Sequence, residues 1–301
     1  MSVSPPYLEA TVIAAAVARE RGDLEVFINI SQMTVSQMTL AKMTDSPQQR
    51  QHLLAEQVLN WSGLPTVHVR PTVFLENFFF LDWAAESIAR DDTIQLPFGA
   101  GRTSPVAAQD VAEVIAIILS NPAAHVGKVY ELTGPRSQDM HAVAAEYSSA
   151  LGRSIKYVDV PLEQWRDQEL RNRNLPEHVF EHLLTMARLH SANRYDRITQ
   201  DVEAITGRPA LGIRNFIAKH ADLFAPNRRR LQGQVEPISS TTGRKSASDP
   251  GLLPAGTLFS EQGTGENHFM AARPSRPQGR PKLCALALVQ VSPVLATFQH
   301  E

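Results

Sequence analysis

The stretch that decides the fold runs from residue 24 to residue 70. It opens with LEVFINI (Leu24–Ile30), continues through SPQQRQHLLAEQVLNW (Ser46–Trp61) and closes with PTVHVR (Pro65–Arg70). The first piece is short, mostly apolar and rich in β-branched and aromatic side chains, the pattern of a strand buried on both faces. Ser46-Pro47 sets a capping hydroxyl before a proline in the first turn, which predicts a helix through Trp61 that stops at Ser62-Gly63. The third piece reads as a second strand that Pro71 ends. Strand, helix and strand in that order imply a right-handed crossover between parallel neighbours.

Working outward, Tyr7–Arg21 (YLEATVIAAAVARER) is Ala-rich with apolar residues at helical spacing, and Gly22 follows as a stop. Downstream the pattern predicts helices over Leu75–Ala89, Asp110–Ser120, Ser137–Leu151, Leu162–Arg173, Pro176–Ala192 and Ile213–His220. Strands are expected at Lys128–Thr133 and Lys156–Val160. Strands alternating with helices make the class α/β.

Composition narrows the function. Lys+Arg 29 against Asp+Glu 31 leaves a net charge of -2, which gives no general attraction for nucleic acid or an anionic membrane. No apolar run approaches the roughly 20 residues of a membrane span, and Met1–Tyr7 has no basic start of a secretory leader. The lone Cys284 forms neither an internal disulfide nor a Cys-rich zinc site, and a cytoplasmic location is expected. The histidines show no metal-ligand spacing, so no metal is expected. Near Pro226 the chain changes character: residues 227–301 hold 7 of the 16 glycines and 7 of the 20 prolines. The organisation read from this is a folded body, 1–226, and a disordered low-complexity tail, 227–301, with room for weak local order at Leu283–Val291.

Several segments then carry a resemblance. NISQM (Asn29–Met33), HLLAEQVLNWSGLPTVHVRPTVFLENF (His52–Phe78), LPFGAGRTSPVAAQDVAEVIAIIL (Leu96–Leu119), ELTGP (Glu131–Pro135) and the later Ile205–Phe216 resemble, in order, the NmrA-like branch of the short-chain dehydrogenase superfamily. The resemblance implies a Rossmann-like parallel sheet that binds NADP or NAD, with a small substrate-facing subdomain. It also implies a departure, because the family's Gly-rich phosphate turn in its first strand–turn–helix unit has no counterpart here. The chain therefore reads as an N-terminally truncated version of the fold that binds dinucleotide weakly or not at all. Within the body, the G-x-G pattern occurs at Gly99-Ala100-Gly101 with Ser104 in the third place, outside any strand–helix context, and is read as a turn beside the substrate cleft.

The candidate residues follow from position and from the resemblance. Ser31 and Gln32 end the first strand on its C-terminal side, where open α/β sheets bind ligands; the alternative is that they cap a turn. The resemblance sets this strand end beside the nicotinamide ribose. It also sets the backbone after Arg70 along the nicotinamide, so Pro71, Thr72 and Phe74 are expected to line the cleft, while Arg70 is expected to be structural. His52 matches the position from which a Lys reaches the cofactor ribose in some relatives; a packing role is the alternative, and Glu56, one turn on, is expected to be structural. Glu76 and Asn77 either meet the substrate or cap a helix. Trp61 and Phe78–Phe80 are expected in the core. No Tyr-x-x-x-Lys pair is present in the expected helix, and no catalytic residue is assigned.

The function expected is NAD(P)-dependent hydride transfer to a small carbonyl or quinone-like substrate, impaired without the phosphate turn. The alternative is a non-catalytic redox-sensing regulator of the same fold that binds a protein partner.

Overall fold

The structure, a computed structural model, describes residues 7–43 and 46–225 and the backbone of 269–271 and 286–288. In chain order the first elements are α1 (Tyr7–Arg21), β1 (Phe27–Ile30), α2 (Pro47–Trp61), β2 (Thr66–Pro71), α3 (Asp82–Asp91), β3 (Thr93–Leu96) and β4 (Arg102–Thr103). Next come α4 (Ala108–Ser120), β5 (Val129–Leu132), β6 (Gln138–Asp139), α5 (Met140–Leu151), β7 (Lys156–Asp159) and α6 (Leu162–Trp165). The body ends with α7 (Glu177–Ser191), α8 (Asp201–Thr206) and α9 (Ile213–Lys219), and β8 (Phe269–Ala271) and β9 (Leu286–Leu288) follow.

β1 and β2 pair in parallel, Phe27 opposite Thr66 and Ile30 opposite Val69, and β5 continues the sheet beside β2. Side chains alternate across it. Val26, Ile28, Val67 and Val69 pack with Val111, Val114 and Ile118 of α4 on one face. Phe27 packs on the other with Ala14, Ala15 and Ala18 of α1 and Ala55 and Leu59 of α2. Helices cover both faces, which explains why LEVFINI lacks the polar alternation of a half-exposed strand. Each buried Val or Ile contributes about 1.5–3 kcal/mol relative to exposure.

The polar residues on the α1/α2 face are matched with care. Tyr7 Oη donates to Asn29 Oδ1 (3.4 Å), and Asn29 Nδ2 faces His68 Nδ1 at 3.1 Å. An amide nitrogen only donates, so His68 Nδ1 accepts and its Nε2–H is left to donate to Asn60 Oδ1 at 3.0 Å. Two residues along β2, Arg70 meets Glu56 of α2 in a two-pronged pair, Nε to Oε1 at 2.9 Å and a terminal nitrogen to Oε2 at 2.6 Å. Arg70 and Glu56 thus have the structural place expected of them, tying α2 to β2.

Several expected boundaries are corrected. The helix expected from Leu75 begins only at Asp82, because Val73–Leu75 is engaged sideways: Leu75 N donates to Val106 O and Val106 N to Val73 O. The helix expected from Ser137 begins at Met140, capped by Asp139, whose carboxylate accepts from Ala142 N at 2.8 Å; Ser137 instead donates to Asp196. The helix expected over Leu162–Arg173 is α6 followed by a wide π turn and a tight turn that ends at left-handed Asn174. Trp61, expected in the core, is 71% exposed, because it lies on the face of α2 opposite buried Leu59. Lys156–Asp159 forms a separate two-stranded sheet with β3, a strand the pattern did not suggest. A large aromatic cluster that includes Phe79, Phe98, Trp83 and Trp165 fills this second layer.

Most of the tail expected to be disordered lies outside the described residues. Within it β9 pairs in parallel with β1, Phe27 opposite Leu286, inside the Leu283–Val291 stretch that leaves room for local order, and β8 pairs antiparallel with β9. The free edge of a strand as buried as β1 presents amides and carbonyls that another strand satisfies.

Candidate functional site

Because β1 and β2 run parallel and in register, the chain leaves both on the same side of the sheet. Ser31, Gln32, Met33 and Thr34 leave β1, and Pro71, Thr72, Val73 and Phe74 end or follow β2. Across from them stand His182 and Met186 of α7 and, just beyond that helix, Tyr195. Together these residues enclose a crevice of about 350 Å³ counting its open mouth. As it stands, the free room within it is little more than one water molecule.

The backbone at the crevice is already spoken for. Ser31 N donates to Val69 O at 2.8 Å and Thr72 N to Leu132 O at 2.9 Å, extending the ladder by one rung on each strand, and Pro71 has no N–H. What is left over is side chain. Ser31 Oγ, Gln32 Nε2, Thr34 Oγ1 and Thr72 Oγ1 are buried with no partner. Buried polar groups are paired in the great majority of cases, with protein or with ordered water, so four such atoms around one crevice make it the candidate ligand site.

Of the residues singled out from the sequence, Ser31, Gln32, Pro71, Thr72 and Phe74 meet at this crevice. His52 does not line it. It is buried with its ring 4.9 Å from that of Tyr7 and both nitrogens unpartnered. Glu76 turns away to cap α4, both carboxylate oxygens accepting from Ala108 N at 3.1 and 3.0 Å, and burial pushes its carboxyl pKa up. Asn77 accepts from Phe79 N at 3.1 Å and shapes the turn before α3. Asp110 is held by Leu211 N at 2.7 Å and Arg208 at 2.9 Å.

Sequence reading missed His182, Met186 and Tyr195. His178 and His182 share a face of α7, yet among the described residues no group of three metal-ligating side chains is present. The available signal was position: four apart on one helix, His182 and Met186 occupy one stripe. The Gly99–Gly101 turn packs instead against the end of α7, where a Cβ on Gly101 would lie 1.8 Å from His190 O. No helix among the described residues is long and apolar enough to cross a membrane.

Comparison with known proteins follows the geometry. The pattern that defines the NmrA-like family matches residues 10–212. The chain belongs to the NmrA-like family. It is 31% identical over 182 residues to an NAD(P)H azoreductase of Xenophilus azovorans, covering 60% of this chain and 62% of that protein. The chain spans about three-fifths of the length of such curated relatives. Among solved structures it resembles an NADPH-dependent quinone oxidoreductase of Escherichia coli, solved with NADPH. The TM-score is 0.63 at 18% identity, with 73% of this chain and 74% of that one covered. It also resembles NmrA, a negative transcriptional regulator solved with NAD, at TM-score 0.58 and 16% identity over 76% and 73% of the two chains. At these identities the likeness establishes a Rossmann-like α/β fold.

The buried imidazoles of this NmrA-like chain carry a measurable consequence. Burial holds His52 and His190 down to about 3 and His182 well below its ordinary value. In the unfolded chain a histidine takes its proton near pH 6.5; in the fold these do not. The unfolded state therefore binds more protons as pH falls from 6.5 towards 3, and stability drops across that window by about 1.4 kcal/mol per pH unit for each such group. Urea unfolding at pH 7 and pH 5 should show a smaller loss for His190→Phe than for the wild type. An identical loss in both would mean that His190 titrates normally in the fold.

Proposed function

We propose that the crevice receives the nicotinamide half of NADP or NAD and that the chain supports hydride transfer to a small carbonyl or quinone-like substrate. The observation that carries this reading is the set of unpartnered buried groups, Ser31 Oγ, Gln32 Nε2 and Thr72 Oγ1, at the C-terminal ends of two adjacent parallel strands. That is where open α/β sheets place ligands. The relatives add weight: an NAD(P)H azoreductase is 31% identical to this chain.

When bound, the nicotinamide supplies the hydride. The chain's own residues bind and orient. Ser31 and Thr72 hydroxyls each offer one donor and two acceptor sites to a ribose or carboxamide. Gln32 Nε2 offers donors. Val73 and Phe74 supply an apolar wall along which a ring lies with water kept out. The opposite wall, His182 and Met186 of α7, would orient the acceptor.

None of the described glycines lines the crevice, so the described residues offer no Gly-rich turn for the pyrophosphate. Weak binding by the chain alone is the expected consequence. Fluorescence titration with NADPH tests the reading: saturable binding with a Kd in the high micromolar range is expected, weakened further in Ser31→Ala. No binding at near-millimolar NADPH would remove the enzyme reading for this chain. Binding without turnover of any quinone would instead favour a non-catalytic redox-sensing regulator; one structural neighbour, NmrA, is a negative transcriptional regulator.

A further inference from the structure

The nucleotide reading leaves His182 unused. It is 3% exposed, it lines the crevice from α7, and neither ring nitrogen has a partner. Its orientation is set by packing. Val179, Leu183, Met186 and Ala187 of α7 enter the aromatic cluster; His182, one turn before Met186, stays outside it, and both side chains line the crevice. The helix is tied in place at both ends. Gln48 Nε2 of α2 donates to His178 O at 2.6 Å; beyond α7, Gln37 and Arg194 exchange two hydrogen bonds, at 2.7 and 2.8 Å.

An imidazole buried in this way forfeits about 1–3 kcal/mol of hydrogen bonding unless something arrives to accept from it. A neutral imidazole always has one N–H to give. Among the described residues no Lys, Arg, Asp or Glu lines the crevice, so none of their side chains offers an entering anion a countercharge for the water it would lose. The methionines at the wall, Met33 and Met186, are flexible and polarizable enough to part around a flat ring.

We infer that His182 is the binding residue for an uncharged, planar hydrogen-bond acceptor, a quinone or other conjugated carbonyl compound, with its ring N–H on the acceptor's oxygen. The inference rests on the crevice being the ligand site proposed above, and it adds the residue that meets the second ligand and the charge class of that ligand.

The test is calorimetric titration of the full chain with 2-methyl-1,4-naphthoquinone and with a naphthoquinone bearing a carboxylate. The ring nitrogen resonances of His182 are followed alongside by NMR. Expected are binding of the neutral quinone, binding at least tenfold weaker for the carboxylate, and a shift of the His182 ring signals on saturation. His182→Ala should weaken the neutral quinone about tenfold, the equivalent of 1.4 kcal/mol, while His182→Gln, which keeps an N–H, restores most of it. Equal affinity in wild type and His182→Ala, preference for the carboxylate, no quinone binding, or still His182 signals on saturation would each overturn the inference. The ring signals belong to the wild type, so the inference stays testable even if a variant does not fold. A parallel NADPH titration separates the two readings: His182-dependent quinone binding without NADPH binding would retain the acceptor site and remove the hydride reading.

Discussion

Arg70→Met is expected to cost about 3–5 kcal/mol of folding stability, the range for removing one member of a buried ion pair. Glu56 is 1% exposed and both its oxygens accept from the Arg70 guanidinium. Methionine replaces the stem of the lost side chain as far as Nε, but it has no guanidinium and donates nothing. The Glu56 carboxylate would stay in the interior with its charge uncompensated. Glu131 adds to the loss, since it faces Arg70 at 3.6 Å as well as pairing with Arg197. The check is the urea midpoint of Arg70→Met against the wild type and against the double variant Glu56→Gln/Arg70→Met. The double variant should recover a substantial share of the loss, because a neutral amide is cheaper to leave unpaired than a carboxylate. A loss below about 1 kcal/mol in the single variant would place this pair in the class of exposed salt bridges and contradict its burial. A consequence at the site is also expected: Pro71 and Thr72 follow Arg70 directly, so a loosened β2 end should weaken NADPH binding in proportion.

Gly101→Ala is expected to lose about 3 kcal/mol or more, the upper end of what overpacking costs. A Cβ there would stand 1.8 Å from His190 O and 2.7 Å from His190 C, and both are backbone atoms that no rotamer change can move. The end of α7 would have to retreat. That retreat would part the stack in which the His190 ring lies 4.0 Å from Phe98 and 4.2 Å from Tyr195, and Tyr195 lines the crevice. Gly127→Ala is the matched control. Gly127, unlike Gly101, is left-handed (φ 82°) but has nothing within 4 Å of an added Cβ, so only the conformational penalty of about 1–2 kcal/mol applies. Thermal melts of the two variants should separate clearly. Equal shifts would show that α7 does not pack against Gly101 as closely as described.

The pair of experiments also shows where sequence reading stops. A G-x-G pattern states that two positions lack a Cβ, and three unrelated needs produce it: a phosphate approach, a left-handed turn and a close crossing of chains. At Gly99 the need is the turn, φ 55°. At Gly101 it is the crossing. Neither faces a ligand in the crevice, and only the path of residues some ninety positions later decides that.

Some of this protein was settled by its sequence alone. The apolar density of LEVFINI, the Ser-Pro helix start and the return strand ending at Pro71 are local features, each acting within a few residues. They were enough to specify α/β, a parallel β1–β2 pair, and the exit of Ser31 and of Pro71–Phe74 from the same sheet edge. The tertiary structure alone decided what stands opposite. A buried stripe on α7 reads the same whether it meets core or cleft, because helical periodicity shows which residues turn inward and says nothing of what they meet. Contact across more than a hundred residues of chain made His182 and Met186 a wall of the crevice and set β9 beside β1, and a contact across 32 residues sent Glu76 to cap α4. Those outcomes depend on how whole elements share limited interior space, which is a property of the assembled fold.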